Sequence, residues 1–228
     1  ITKQPGVVRF LEPGAYRMMY GVARMSKNGT GISGDNYTYS GSLPGQVIMS
    51  LSDGMGSGAA ADQESRKVIE LLQQLLETGF SARSALKMVN TILLLTGVEQ
   101  HPATLDLCCV DLCSGVLEAM KMGAVATFVL SDGQAEILDA GNLPGVISQA
   151  EPVLLSRKLW DDDRVIMMTD GVLEACPGLE KERSLKEYLE SMPMKTPQDM
   201  AERILRFACQ NGGMNDDMTV LVAGIWKR

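Results

Sequence analysis

Basic residues are in the minority here: 21 Lys and Arg stand against 28 Asp and Glu, a formal net charge of −7. Such a chain is repelled by phosphate backbones and anionic lipid, so neither a nucleic-acid grip nor membrane contact by this chain is expected. No apolar run approaches the roughly 20 residues that span a bilayer, and no signal-peptide pattern opens the sequence. The five cysteines lack CxxC spacing. Cys108, Cys109 and Cys113 fall in ATLDLCCVDLCSG and read as small apolar strand residues, while Cys176 and Cys209 stand alone. This excludes a disulfide framework and a zinc site, and points to reduced thiols in a cytoplasmic setting. Histidine occurs once, as His101, far in sequence from every acidic motif, and it reads as a loop or capping residue. Internal repeats and low-complexity tracts are missing too.

What remains is an ordinary globular composition. The 228 residues are 45% hydrophobic and 21% charged, which suits one large domain and rules out general disorder. The 15 methionines are spread over apolar strands and helices and read as core filler. The chain starts at Ile1, and residues 1–14 hold Pro5, Gly6, Pro13 and Gly14. We therefore expect a lead-in from a longer polypeptide over 1–14 and a single domain over 15–228.

Strand character runs from Tyr16 to Ser26, and a Gly-, Ser- and Asn-rich turn follows in KNGTGISGDN. A second strand, QVIMSL, ends at Ser52-Asp53-Gly54. Val68, Leu71, Leu72, Leu75 and Leu76 then recur at helical spacing in a stretch that begins near Ser57. Gly79 ends this helix, and Ser81 caps a second one. Short strands are predicted over 103–112, 116–122, 125–131 and 134–139, and another in DRVIMMTDG. A helical part covers 182–211, with Pro197 at a helix start, and MTVLVAGIW closes the chain. Consecutive strands without alternating helices predict an α+β fold of antiparallel sheets with helices outside.

The informative residues are aspartates. Asp35 sits in SGDN, Asp53 in SDGMGSG, Asp170 in TDG, and Asp216 with Asp217 in NDDM. Each lies at a strand boundary, and together they are expected to converge on one edge of a sheet. A single Asp-Gly is usually a turn, but two copies of strand–[ST]-D-G with a DDMT opening a strand make a set. Two carboxylates about 4 Å apart repel by about 4 kcal/mol at an effective dielectric near 20, so such a cluster takes up protons or binds cations. All-oxygen donors select hard ions such as Mg²⁺ or Mn²⁺. Two such ions would turn water into a hydroxide nucleophile and clamp the oxygens of a displacement, which fits phosphate-ester hydrolysis.

SGDN (33–36), SDGMGSGAAA (52–61), ATLDLCCVDL (103–112), MTDGVLEA (168–175) and NDDMTVLV (215–222) resemble the metal-dependent serine/threonine phosphatases of the 2C class. More narrowly, they are similar to the bacterial branch typified by the stage II sporulation protein E phosphatase domain. The similarity runs from about Tyr20 to Ile225. It implies two packed antiparallel β-sheets flanked by helices, a four-layer αββα sandwich. It implies two Mn²⁺ or Mg²⁺ ions, bridged by Asp53 with the carbonyl of Gly54. Asp170 and Asp216 would hold one ion, and Asp35 would reach the second. Asp53, Asp170 and Asp216 are thus the implied catalytic residues. Asp217 matches an adjacent position often held by Asn. Glycine suits position 54 because a side chain would crowd the backbone's approach to the metal.

Two features depart from the family. Many 2C-class enzymes carry a His after the first Asp-Gly, where this chain has Met55. No phosphate-binding Arg stands out either, Arg17 and Arg24 being the candidates. Both departures imply modest intrinsic activity and leave room for control by a partner. The resemblance implies a phosphoserine or phosphothreonine substrate on a small regulatory protein, with a phosphorylated anti-sigma-factor antagonist as the leading example in sporulation control. It also leaves open a homodimer and a cytosolic domain of a membrane-anchored longer protein. The helices over 57–97 directly follow the metal loop, so their docking is expected to control the geometry of Asp53 and Gly54.

Three alternatives compete, one of them a hydrolase of small phosphate esters, which would treat nitrophenyl phosphate and a phosphoprotein alike. The same fold would serve as a pseudophosphatase, a regulated binding module, if catalysis is lost. Gly54-x-Gly56-x-x-Ala59 also fits a loose nucleotide-binding pattern, but Asp53 places negative charge where phosphate would sit, and no βαβ unit follows.

Overall fold

Ten strands and five helices form among the residues that a computed structural model describes: 14–27, 31–41, 45–95, 103–138 and 153–228. The elements are β1 (Tyr16–Met25), β2 (Asp35–Ser40), β3 (Gln46–Asp53), α1 (Ala59–Glu77), α2 (Ala82–Leu95), β4 (Leu105–Asp111) and β5 (Val116–Met122). There follow β6 (Thr127–Ser131), β7 (Gln134–Leu138), β8 (Val153–Lys158), β9 (Arg164–Met168), α3 (Asp170–Glu174), α4 (Lys181–Ser191), α5 (Pro197–Gly212) and β10 (Met218–Lys227). One five-stranded sheet has the order β1-β10-β9-β6-β7, and the other β2-β3-β4-β5-β8. Every recorded pairing is antiparallel.

Alternation along each strand decides which layer a residue joins. In β4, Cys108 and Val110 face the inter-sheet core with Met49, Leu117, Val165, Met167 and Leu221. Their neighbours Leu107 and Cys109 face outward, where α1 and α2 cover them through Val68, Leu72, Leu86 and Val89. On the far side, Phe128, Ile166, Val220 and Val222 are covered by α3, α4 and α5 through Val172, Leu185, Leu189 and Ile204. Helix, sheet, sheet, helix: the four layers expected from the resemblance are present, as is the α+β class.

Local signals behave as their chemistry requires. Thr196 caps α5 by accepting from the Asp199 amide at 3.2 Å, with Pro197 in the first turn. Ser81 accepts from the Ser84 amide at 3.3 Å ahead of α2. The β6–β7 hairpin turns at Asp132 and Gly133, both with positive φ, as two-residue hairpins prefer.

The structure also corrects the sequence reading. Two strands were missed: β2, a polar edge strand reading DNYTYS, and β8, the opposite edge of the same sheet. Within the helical 182–211 stretch, α4 ends at Ser191 and α5 starts at Pro197, where the sequence placed a helix start. Cys113 is exposed in the turn after β4 and is not a strand residue. Residues 1–13 and His101 lie outside the described residues. β3 and β4, which flank α1 and α2, pair antiparallel, which removes the nucleotide-binding alternative. No helix among the described residues is long and apolar enough to cross a membrane.

Candidate metal centre

At one end of the inter-sheet layer the inward positions change from apolar to polar. Asp35 opens β2 and Asp53 ends β3, and the two are direct partners across the ladder, so both side chains share one face. Asp35 is fully buried. Its Oδ2 accepts from Thr219 Oγ1 at 2.6 Å and from Thr169 Oγ1 at 3.1 Å, both from the opposite sheet. Thr169 in turn accepts from the Thr219 amide at 2.9 Å. Asp35 therefore bolts the edge strand of one sheet to the middle of the other. Its Oδ1 is buried without a hydrogen-bond donor among the described residues.

Asp53 stands between Asp35 and Asp170. Burial first, then the charges of Asp35 and Asp170, push its carboxyl far above the usual range. Burial likewise raises Asp35, against the pull of its two threonine donors. Asp170, expected where the VIMMT strand meets a loop, is the first residue of the short helix α3. Convergence thus spans both sheets, rather than one edge of a single sheet. Gly171 follows of necessity, because a Cβ there would collide with the Asp217 carbonyl.

The adjacent acids 216 and 217 divide their roles. Asp217 is buried. Its Oδ1 accepts from the Lys27 amide at 2.8 Å and its Oδ2 from the Gly34 amide at 2.7 Å, so it clips the β1–β2 connection. Asp216 is half-buried, and among the described residues its side chain accepts from the Asp217 amide alone, at 2.9 Å. A further acid went unnoticed in sequence: Glu174, in the last turn of α3, whose carboxyl is raised by burial and by Asp170 and Asp216. Its signal was helical spacing, four residues on from Asp170.

Helix α1 is clamped on this loop. A Cβ at Gly54 would collide with the Ala61 carbonyl, and one at Gly34 would lie 2.8 Å from the Ala61 Cβ. Glycine at 54 is thus required by the helix itself. The Gly54 amide donates to the Gly34 carbonyl at 3.1 Å, and Ser65 Oγ donates to that same carbonyl. Asn36 Nδ2 reaches the Asp62 carbonyl, the Asp62 carboxylate and Ser65 Oγ at 2.8–3.1 Å.

The two arginine candidates separate. Arg24 donates to the Asp35 carbonyl and lies 5.7 Å from the centre of the Tyr37 ring. Arg17 pairs with Trp226 at the opposite end of β1. Met55 is exposed beside the acids. An open hollow of ≈ 380 Å³ borders Asp170, with Val125, Leu173, Glu174 and Lys181 as its other walls.

Sequence reasoning also passed over Asp106 and Lys121, buried at 1% and 2% exposure. They face each other across β4 and β5, on the same inward face as Asp53. The signal was available: LDLCCVD holds a single acid at a core-facing position.

A divalent ion suits this donor set. It is all oxygen, Asp35 Oδ1 is a buried acceptor awaiting a donor or cation, and Asp53 is crowded by two like charges. Among the described residues, no three His, Cys, Asp or Glu side chains are already gathered into a ready-made cage.

Fold and site together define a PP2C-type phosphatase domain. The phosphatase domain and a regulatory-domain fragment of the cell fate determinant SpoIIE from Bacillus subtilis superpose on 95% of this chain and 64% of theirs, with TM-score 0.88 and 32% identity. The chain belongs to the stage II sporulation protein E (SpoIIE) family, whose profile matches residues 44–226, and so to the PP2C-type protein serine/threonine phosphatases. Stage II sporulation protein E of Bacillus subtilis (strain 168) is 32% identical over 222 residues, 96% of this chain but only 27% of that protein. The catalytic domain of the serine/threonine phosphatase PstP, solved with two manganese ions, shares the fold at TM-score 0.68 and 18% identity, over 93% of this chain and all of that one.

Proposed function

We propose that this domain hydrolyses a phosphoserine or phosphothreonine ester on a small regulatory protein, an anti-sigma-factor antagonist, in the cytoplasm. The observation that carries the reading is Asp53, the direct ladder partner of Asp35, with its carboxyl pushed up by burial and by the charges of Asp35 and Asp170. Asp53, the Gly54 carbonyl, Asp170, Asp216 and Asp35 would together hold two Mn²⁺ or Mg²⁺ ions. PstP, with its two manganese ions, supports that count.

When bound, two such ions supply an activated water and neutralise phosphoryl charge. The chain supplies the rest. Thr169 and Thr219 fix the rotamer of Asp35, and Asp217 fixes the loop that carries it. Arg24 offers guanidinium donors beside Asp35, suited to a phosphoryl group. Met55 can give no proton to the leaving alkoxide, so that proton comes from water. The same Met55 favours a second reading, a catalytically weak domain that binds its partner under regulation.

Release of phosphate from a phosphoserine-bearing antagonist decides between them. Activity with Mn²⁺ that disappears with EDTA and in Asp53→Asn supports hydrolysis. A folded domain that binds the antagonist without turnover supports the binding module.

A further inference from the structure

The polar end of the inter-sheet layer holds a second cluster beside the acids already described. Lys121 Nζ donates to Asp106 Oδ2 at 2.6 Å, to the Val125 carbonyl at 2.7 Å and to Thr127 Oγ1 at 2.7 Å. Thr127 passes its own proton to Asp106 Oδ2 at 2.7 Å. All three ammonium protons are used. The other carboxylate oxygen, Asp106 Oδ1, is buried with no hydrogen-bond partner among the described residues.

A buried ion pair rarely stabilises a fold beyond what apolar residues of the same volume would give. Here two charged side chains interrupt a face otherwise filled by Leu51, Cys108 and Ala119. Their position suggests why. Asp106 lines a small hollow together with Asp53, Asp170, Thr104 and the 123–125 turn. That hollow offers ≈ 10 Å³ for the centre of a water-sized sphere, about the room one water needs. Thr104 ties it to the site, since its amide donates to the Asp53 carbonyl at 2.9 Å and its hydroxyl accepts from the Asp53 amide at 3.3 Å.

We propose that Asp106 holds, through one water in this hollow, a divalent cation seated between Asp53 and Asp170, with Lys121 fixing the carboxylate's orientation. This rests on the reading of Asp53 and Asp170 as cation ligands. A shared water is required because the ammonium 2.6 Å from Asp106 repels a cation placed directly on that carboxylate. Hard cations such as Mg²⁺ retain several waters, and carboxylates that receive those waters tune the affinity of the site. Lys121 also holds the Val125 carbonyl, so one ammonium sets both the acceptor and the adjoining wall. Asp106 and Lys121 are positioning residues, acting on the cation through water.

The test is Mn²⁺ titration by calorimetry on the wild-type domain, Asp106→Asn and the apolar double variant Asp106→Leu with Lys121→Met. Cation-free melting and the kcat and KM for a phosphoserine peptide are read alongside. The expected result is a double variant that melts no lower than wild type yet binds Mn²⁺ about 10- to 100-fold more weakly. Asp106→Asn, which keeps an acceptor for Lys121, should show the same loss, with kcat falling more than KM rises. Wild-type Mn²⁺ affinity in either folded variant overturns the proposal. A wild-type domain that binds no Mn²⁺ overturns instead the reading of Asp53 and Asp170 as ligands. Normal Mn²⁺ binding without hydrolysis by wild type counts against the phosphatase function alone.

Discussion

Asp35 and Asp53 are Cα partners across the β2–β3 ladder, two acids side by side on an inward face. Like charges directly opposite oppose strand pairing, and here a third acid, Asp170, presses on Asp53 from the other sheet. The end of β3 is thus a place where folding alone stores repulsion that a cation would relieve.

Stability without divalent ions should therefore depend on pH. Both carboxyls are raised above the unfolded value of 3.8, Asp35 to about 6 and Asp53 higher still. The folded state then binds more protons than the unfolded one between those values, so stability is full below about pH 4 for these groups and is lost as pH rises. Melting in EDTA should fall from pH 5 to pH 8, by about 2–4 °C for each kcal/mol lost. Asp53→Asn should flatten that slope and melt higher than wild type at pH 8. A flat wild-type profile would contradict the burial of these charges.

Asp216 and Asp217 should part company under substitution. Asp217→Ala strips acceptors from two amides and is expected to cost about 1–3 kcal/mol for each buried group left unpaired. Asp216→Asn should leave melting unchanged and weaken Mn²⁺ binding. Thermal melts beside calorimetry separate the two, and a stability loss at 216 would reverse the assignment.

Gly54→Ala should injure the site through the helix. The added methyl meets the Ala61 carbonyl, so α1 must lift off or the loop must shift. Loss of Mn²⁺ binding with α1 amides less protected in hydrogen exchange is the expected pair of effects. Ser65→Ala, which removes the hydroxyl bonded to the Gly34 carbonyl, should give the same change in milder form. Wild-type exchange in α1 of a folded Gly54→Ala protein would show that the helix tolerates the collision.

Arg24→Ala should raise KM for a phosphopeptide at least tenfold, whereas Arg17→Ala should not. Arg24 lies at the acidic end of β1 and Arg17 opposite Trp226 at the other. Equal effects from both would remove Arg24 as the phosphoryl contact.

The acids were legible because each sits beside a Gly, Asn or Thr at a strand boundary, where a lone charge needs explaining. The α+β class with antiparallel sheets was legible from the run of strands after α2, whereas the four-layer sandwich came from the family resemblance. β2 escaped because DNYTYS is short and polar with only half-buried tyrosines, so no apolar alternation marks it. Thr169 and Thr219 were quoted within motifs, yet their bonds to Asp35 link residues 134 and 184 positions apart. No spacing rule reaches that far. Asp106 and Lys121 looked like ordinary strand charges until register placed them opposite each other and buried.

β10 lies between β1 and β9, inside its sheet rather than at an edge. Thr219 and its neighbouring acids therefore arrive only when the final tenth of this sequence is made. A ribosome-bound chain that stops at α5 would have β1 and β9 with nothing between them, and Asp35 with Thr169 but not Thr219. The acid cluster cannot be completed gradually during synthesis; it waits for one late strand to slot into place.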